Sequence, residues 1–333
     1  DLVGGLGRRT FESLSVRNYR LYFIGQGISM SGSWMQSIAQ GLLVLKLTGS
    51  GTALGLVIAL QCVPILLFGP WGGVVADRYP KRRTIYATQS AACLIALTVA
   101  ALVLTDTIQI WMVYVAGILS GFVTVFDNPA RQTFVRELVG SERLTNAVSL
   151  SAMEMNVARV IGPSIAGALA ATVGLGMCFL VDGLSYIAVL FVLWRMTSSE
   201  FNEQVRVASG SGQVRAGIDY VRRTPIIRNI LIMMAIIGML TYEFSVMLPL
   251  LAEFTFHEGP GGYAALTAAM GAGAVVGGLV AAGRGNPSPT VMGLCGVAFG
   301  GSVVLTAVSP NLLVAVLTLR TVGIFSINLT SLA

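Results

Sequence analysis

Apolar residues in this chain come in blocks of about 20, the length that crosses a hydrocarbon core, with short polar stretches between them. The pattern predicts spanning segments near 20–46, 52–76, 84–105, 108–127, 145–173, 177–195, 227–252, 262–283, 290–308 and 311–333, about ten in all. A backbone facing lipid has no water to satisfy its N–H and C=O groups, so each segment is expected to be a helix. The chain is therefore read as an all-α polytopic membrane protein. The long polar stretch 197–225 divides it into six helices at 1–196, a hydrated linker, and a second group at 226–333. Within the linker, Ala216 to Arg223 is expected to form a short amphipathic helix on the membrane surface.

Cations gather in alternate loops, with Lys46 as the only one near the opposite loops. Arg8, Arg9, Arg17 and Arg20 precede the first segment, Arg78, Lys81, Arg82 and Arg83 follow the second, and Arg131, Arg136 and Arg143 follow the fourth. Six arginines surround the linker, while the opposite loops hold Asp106, Glu253, His257 and Glu258. By the positive-inside rule the amino terminus is cytoplasmic, which places the protein in a cytoplasmic or inner membrane.

Composition agrees and removes other classes. With 55% hydrophobic and 11% charged residues over 333 positions and a mean hydropathy of +0.79, the chain is far from a soluble domain, where about a quarter of residues are charged. The net charge of +6 is accounted for by the loop arginines and implies no nucleic-acid partner. Cys62, Cys93, Cys178 and Cys295 lie singly in apolar segments, so no disulfide framework and no metal site is expected. Gly271-Ala272-Gly273 lies within a span and follows no strand, so it is no nucleotide loop. Asn328-Leu329-Thr330 fits a glycosylation pattern but sits in an apolar helix, and nothing resembles a nucleophile with its base. No enzyme activity and no cofactor is expected. Arg8, Arg9, Glu12, Arg17 and Arg20 make the first stretch too polar for a signal core, and it reads as an approach helix. The chain starts at Asp1 and stops at Ala333 within an apolar run, which reads as cut at both ends.

Polar residues inside the spans supply the candidate chemistry. Gln26, Ser29, Ser33, Gln36 and Gln40 fall on one face of the first helix and face either a neighbouring helix or a water-filled cavity. Ser33, Gln36 and Gln40, with Gln61 of the second helix, are the cavity candidates. Asn128 and Pro129 carry N-cap and first-turn signals, so a short surface helix is expected over Pro129 to Leu138, ended by Gly140, with Ser141 capping helix five. Asp127 sits at the unfavourable end of helix four and calls for a cationic partner, Arg78 or Arg131. Gly162, Ala166, Ala170 and Gly174 form one small ridge on helix five, and Pro163, Gly167 and Ala171 form its neighbour, allowing another helix to approach closely. Glu154, Arg159, Asp182, Glu243 and Arg320 are ionisable groups within spans, each a functional hypothesis because such groups are costly in lipid. Asp182, near the outer end of helix six, is expected to snorkel. Glu243 is deepest, midway along helix seven.

Two stretches resemble a known family. Gly73-Val74-Val75-Ala76-Asp77-Arg78-Tyr79-Pro80-Lys81-Arg82-Arg83 resembles the loop signature between helices two and three of the major facilitator superfamily, with Pro80 where the family usually has glycine. Asn128-Pro129-Ala130-Arg131-Gln132 and Arg159-Val160-Ile161-Gly162-Pro163, continuing to Gly167, resemble the exporter branch that contains enterobactin exporters and macrolide efflux proteins. Gly-Pro-x-x-x-Gly is similar to the helix-five signature of proton antiporters, with Ala168 in place of a second glycine. The resemblance implies twelve helices in two six-helix bundles, of which the second is incomplete here, and alternating access about a central cavity. It implies a cytoplasmic gate at Gly73, Asp77, Arg78, Arg83, Asp127 and Arg131, and a pivot at Gly162, Pro163 and Gly167. The helix-five resemblance also points to proton antiport, for which the ionisable groups within the spans are the candidates, Glu243 first and Glu154 second, with Arg159 and Asp182. The expected partners are a small hydrophobic or amphipathic substrate of drug or siderophore class, protons and the bilayer, handled by a monomer. A lipid or lysophospholipid flippase of the same fold, or a membrane receptor or scaffold that kept the fold without transporting, are the alternatives. The repeat is visible: Gly72-Gly73-Val74-Val75-Ala76-Asp77 corresponds to Gly277-Gly278-Leu279-Val280-Ala281-Ala282, with the acid lost in the second copy.

Overall fold

A computed structural model describes residues 11–197, 200, 201, 219–225, 228, 244–282 and 289–332. The apolar blocks are helices: α1 Arg17–Thr48, α2 Gly51–Arg78, α3 Lys81–Leu104, α4 Ile110–Val139, α5 Leu144–Thr172 and α6 Leu175–Arg195. Then come α7 Phe244–Leu250, which runs on into a π turn at Leu251–Thr255, α8 Gly259–Ala282, α9 Pro289–Ala307 and α10 Leu312–Leu332. No strand occurs among the described residues. Among them, α2, α3, α4 and α6 are each long and apolar enough to cross a membrane. Long apolar side chains such as Leu66, Leu94 and Val297 are exposed, as a lipid-facing surface requires. The expected approach helix is, over its described part, a short 3-10 turn at Glu12–Ser15. Residues 219–223 are helical, within the amphipathic stretch expected in the linker.

Caps set the short turns. Gly49 ends α1 in the left-handed region at φ 62, its N–H bonding the Leu45 carbonyl, and Ser50 caps α2 by accepting from the Ala53 N–H at 3.4 Å. A glycine is needed at the first of these because a side chain at that φ is strained.

Two expectations at helix ends are corrected. There is no separate helix from Pro129: α4 continues through it to Val139. Proline cannot donate to the Val125 carbonyl four residues earlier, but Gly72 of α2 presses directly on that oxygen. The neighbouring helix thus covers the freed acceptor, as happens for prolines within membrane helices. Nor does Ser141 cap α5, which begins at Leu144 after a turn at residues 141–143.

Contacts gather the chain into two units that do not follow its order. The first holds Asp1–Gly32, Val44–Ala152 and Gly176–Asn229; the second holds Ser33–Leu43, Met153–Leu175 and Ile230–Ala333. In the first, α2 and α4 run parallel with glycine at the seam: Gly117 meets Val57, Gly121 meets the Gln61 carbonyl, and Gly72 meets Val125. One end of this unit is closed by a cluster that includes Tyr19, Tyr22, Ile85, Phe134, Leu138 and Leu193. The Tyr19 hydroxyl donates to the Ala147 carbonyl at 2.9 Å, and Asn18 both donates to and accepts from the Thr197 backbone, so both ends of the first six helices are tied here.

In the second unit the same device recurs between α8 and α10. Gly273 sits on the Arg320 carbonyl, Gly277 on that of Ile324, and Gly323 on that of Met270. Gly277 therefore meets α10 as Gly72, its counterpart in the repeat, meets α4. Asn328 is buried and donates to the Gly277 carbonyl at 3.2 Å, which gives this glycosylation-like asparagine a packing role.

Candidate functional site

The charged end of the first unit carries the residues of the loop signature. Asp77, Arg78 and Arg83 are exposed, and Asp77 and Arg83 make no side-chain hydrogen bond or ion pair among the described residues. Gly73 faces open space. Lys81 reaches from the start of α3 to Glu137 near the end of α4, Nζ to Oε1 at 2.6 Å.

Beneath that surface lies a buried polar network. Asp127 forms an ion pair with Arg131 one turn along α4. Its carboxylate also accepts from Thr88 Oγ1 and, at 3.0 Å, from Gln89 Nε2, both on α3. Arg131 in turn donates to the Gln26 side-chain oxygen of α1. The network thus ties three helices through groups that are themselves buried: Gln26, Thr88, Gln89 and Asp127. In such surroundings the two opposite charges hold one another, while Gln26 Nε2 and Gln89 Oε1 are buried and make no hydrogen bond among the described residues.

Asp182 does not snorkel. It is fully buried in α6, about two turns from the helix start, where a side chain of one methylene has no reach to water. The Ser185 hydroxyl lies 3.4 Å from its Oδ1. A Cβ on Gly32 of α1 would come within 2.6 Å of that same oxygen, so a glycine is what allows α1 to pass.

The polar stripe of α1 divides between environments. Gln26 and Ser29 are buried, Gln36 and Gln40 half-buried, and Ser33 exposed. Gln61 has Gly121 packed on its backbone oxygen. Glu154 is half-buried on α5, Arg320 is exposed on α10, and Glu243 lies outside the described residues.

The second unit encloses a cavity of about 90 Å³. From α1 it takes Trp34, Ser37 and Ile38, a face one step round from Ser33, Gln36 and Gln40. Tyr263, Thr267, Met270 and Ala274 of α8 recur at helical spacing on one wall, and Phe244 and Leu248 of α7 do the same on another. Arg159 of α5 is the one cation among the described lining residues. Its guanidinium stands over the Trp34 ring, 4.9 Å from the centroid, a cation–π contact.

Helix five is brought to this cavity by small residues on both sides. Gly162, Pro163, Ala166 and Gly167 are buried, Gly167 lies against Ala264, and Gly271 of α8 meets the Arg159 carbonyl. The two helices run antiparallel and close, so the Arg159 side chain leaves the seam at the cavity rather than within the helix pair.

Of the lining residues, sequence reasoning singled out Arg159 alone. Tyr263 carried no warning, because a tyrosine in an apolar helix looks like core. It is buried, yet its hydroxyl makes no hydrogen bond among the described residues. The 3.6-residue spacing of Tyr263, Thr267, Met270 and Ala274 was the available signal. No group of metal-ligating side chains forms among the described residues.

A family profile described as transmembrane secretion effector matches residues 9–332. The chain is 29% identical to a staphyloferrin A transporter of Staphylococcus aureus over 71% of its own length, and spans 60% of that protein. It is 21% identical to macrolide efflux protein A of Streptococcus pyogenes, over 81% of this chain and 68% of the other. Among solved structures, a bacterial homologue of the human lysosomal transporter Spinster, in an inward-facing and occupied conformation, superposes with a TM-score of 0.69 at 14% identity, over 95% of this chain and 74% of that one. That likeness establishes the major facilitator fold, and the profile covers nearly every residue: the chain belongs to the transmembrane secretion effectors of the major facilitator superfamily, a family of membrane transporters rather than enzymes.

Proposed function

We propose that the protein is a secondary active exporter of a small hydrophobic or amphipathic molecule, working by alternating access and driven by proton antiport. The observation that carries export is the match to a secretion-effector family together with similarity over 81% of the chain to a protein named for macrolide efflux. On this reading the amino terminus is cytoplasmic, two six-helix halves meet through the linker at 197–225, and the loop at 77–83 lies inside the cell. Asp77, Arg78, Arg83, Asp127 and Arg131 form the cytoplasmic gate with Gly73, and Gly162, Pro163 and Gly167 form the pivot. Ser33, Gln36, Gln40 and Gln61 border the transport path.

Proton coupling is supported by carboxylates at membrane depth, a position that is costly without a function. Glu243 is the first candidate, followed by Glu154, with Asp182 and Arg159 as further members of the set. Substrate and proton compete for the carboxylate, so binding of one releases the other. In vesicles of the complete protein, substrate movement should change internal pH in step. Glu243→Gln should keep downhill exchange and lose accumulation against a gradient. Accumulation that survives collapse of the proton gradient and stops without sodium would refute proton coupling, and normal accumulation by Glu243→Gln would refute the residue.

The gate has its own test. Asp77 can accept hydrogen bonds from cations or a helix amino terminus with both oxygens only as a carboxylate, so Asp77→Asn should cut transport at least about tenfold, the factor that 1.4 kcal/mol represents, with near-normal amounts of protein in the membrane. Transport at the wild-type rate would remove Asp77 from the gate.

A further inference from the structure

We infer that the cavity between α1, α5, α7, α8 and α10 is a subsite for one aromatic ring that carries a carbonyl or ether oxygen, with the Tyr263 hydroxyl donating to that oxygen. The inference rests on the exporter reading only in calling the ring part of a substrate.

The first ground is a donor that the fold leaves unspent. Tyr263 is 3% exposed and lines the cavity, and its hydroxyl makes no hydrogen bond among the described residues. A buried hydroxyl without a partner is costly, so an acceptor that enters the cavity completes the site. The other polar groups there are committed or open to the surface. Thr267 donates to the Tyr263 carbonyl at 2.9 Å, Ser326 has a partner of its own, and Ser37 is exposed. Arg159 is engaged by the Trp34 ring and by a further interaction, so it is given no part in holding the ligand. A single uncharged donor suits a carbonyl or ether oxygen and cannot offset the dehydration of an ion.

The second ground is the make-up of the walls. Trp34, Phe244 and Tyr263 bring three aromatic side chains to one small space, with the Met270 thioether among them. Aromatic pairs and sulfur–aromatic contacts favour a flat ring over a saturated group of the same size. Phe244 packs edge-on against the buried Phe299, ring centroids 6.5 Å apart at 90°, so this wall is formed before a ligand arrives. Leu248 and Ile38 keep the remaining surface apolar.

Size limits what enters. About 90 Å³ is well below the ~300–1,000 Å³ that enclose a drug-sized ligand, so the cavity takes one ring of a larger molecule. Gly323 of α10 sits on the Met270 carbonyl of α8, and both residues line the cavity, so the spacing of these two walls is set by backbone.

Three small neutral probes separate the ring from the oxygen. Acetophenone has both, α-methylstyrene has the ring without the oxygen, and cyclohexyl methyl ketone has the oxygen without the ring. Ligand-observed NMR titration of the complete protein in lipid nanodiscs, with empty nanodiscs subtracted, measures each. Acetophenone should bind about two- to tenfold more tightly than α-methylstyrene, the span of one neutral hydrogen bond, and at least about twofold more tightly than the saturated ketone. Tyr263→Phe should bring acetophenone down to the affinity of α-methylstyrene while leaving α-methylstyrene unchanged, which also shows that the variant is folded. No detectable binding of acetophenone, equal binding of acetophenone and α-methylstyrene, or a Tyr263→Phe variant that still prefers acetophenone would each overturn the subsite. Equal binding of the saturated ketone would overturn the aromatic assignment, and tighter binding of benzoate than of acetophenone would overturn the uncharged oxygen. A preference for acetophenone in a protein that moves no substrate would instead count against the exporter reading, and transport without that preference counts against the subsite alone.

Discussion

Asp127→Leu should be among the most destabilising single substitutions in the first unit, lowering unfolding free energy by about 3–5 kcal/mol, the usual consequence of leaving one member of a buried ion pair alone. The variant strands Arg131 beside the buried Gln26 side chain, and a guanidinium cannot become neutral. Arg131→Met should cost less, because Thr88 and Gln89 still donate to the carboxylate that remains. The double variant Asp127→Leu, Arg131→Met removes both charges and should regain much of the loss, since hydrophobic replacements of a buried pair are often close to neutral. Denaturant titration of the purified protein, followed by tryptophan fluorescence, measures all three. A double variant no more stable than Asp127→Leu would show that the pair is not the source of the effect.

Gly72→Ala and Gly73→Ala should differ in sign although the residues are neighbours. A methyl group at Gly72 would be driven into the Val125 carbonyl of α4, and backbone cannot swing aside as a side chain can. The helices must part, at about 1–3 kcal/mol. At Gly73 nothing lies within 4 Å, and alanine there gains up to about 1 kcal/mol of helix propensity. Gly323→Ala should behave as Gly72→Ala does, because its methyl would meet the Met270 carbonyl of α8. The same denaturant titration decides. Equal stabilities for the Gly72 and Gly73 variants would mean that α2 and α4 are not in backbone contact.

Much of this architecture was legible in the sequence, for a simple reason: lipid permits few backbone solutions, so a run of 20 apolar residues is nearly a helix by definition. What the sequence hid were matters of which side a residue faces and what a neighbour does for it. Asn128 and Pro129 carry true capping signals, but capping is a local rule, and Gly72 on another helix removed the need to end α4 there. The seam of α2 runs through Gly72, while Gly69 and Gly73 on the same helix face open space. Asp182 looked peripheral when counted from a loop, and only the passage of Gly32 over its carboxylate shows how deeply it is enclosed. The polar stripe of α1 drew attention away from Trp34 and Ser37, because amides advertise a polar face while a tryptophan that stacks on an arginine looks like core. Arg159 was legible as a charge out of place; its partner ring was not.

The glycine seams also bear on how such a chain can change. Where α2 meets α4 and α8 meets α10, the touching surfaces are peptide oxygens and glycine Cα atoms, so the spacing of each helix pair is set by main chain common to every protein. Side chains elsewhere on those helices are then released from the task of holding the pair together. They can be exchanged for other apolar residues, or recruited to meet a new cargo, while the frame stays put. A fold built in this way demands little of its sequence beyond a few positions without a side chain, and a chain 14% identical to another can superpose on it closely.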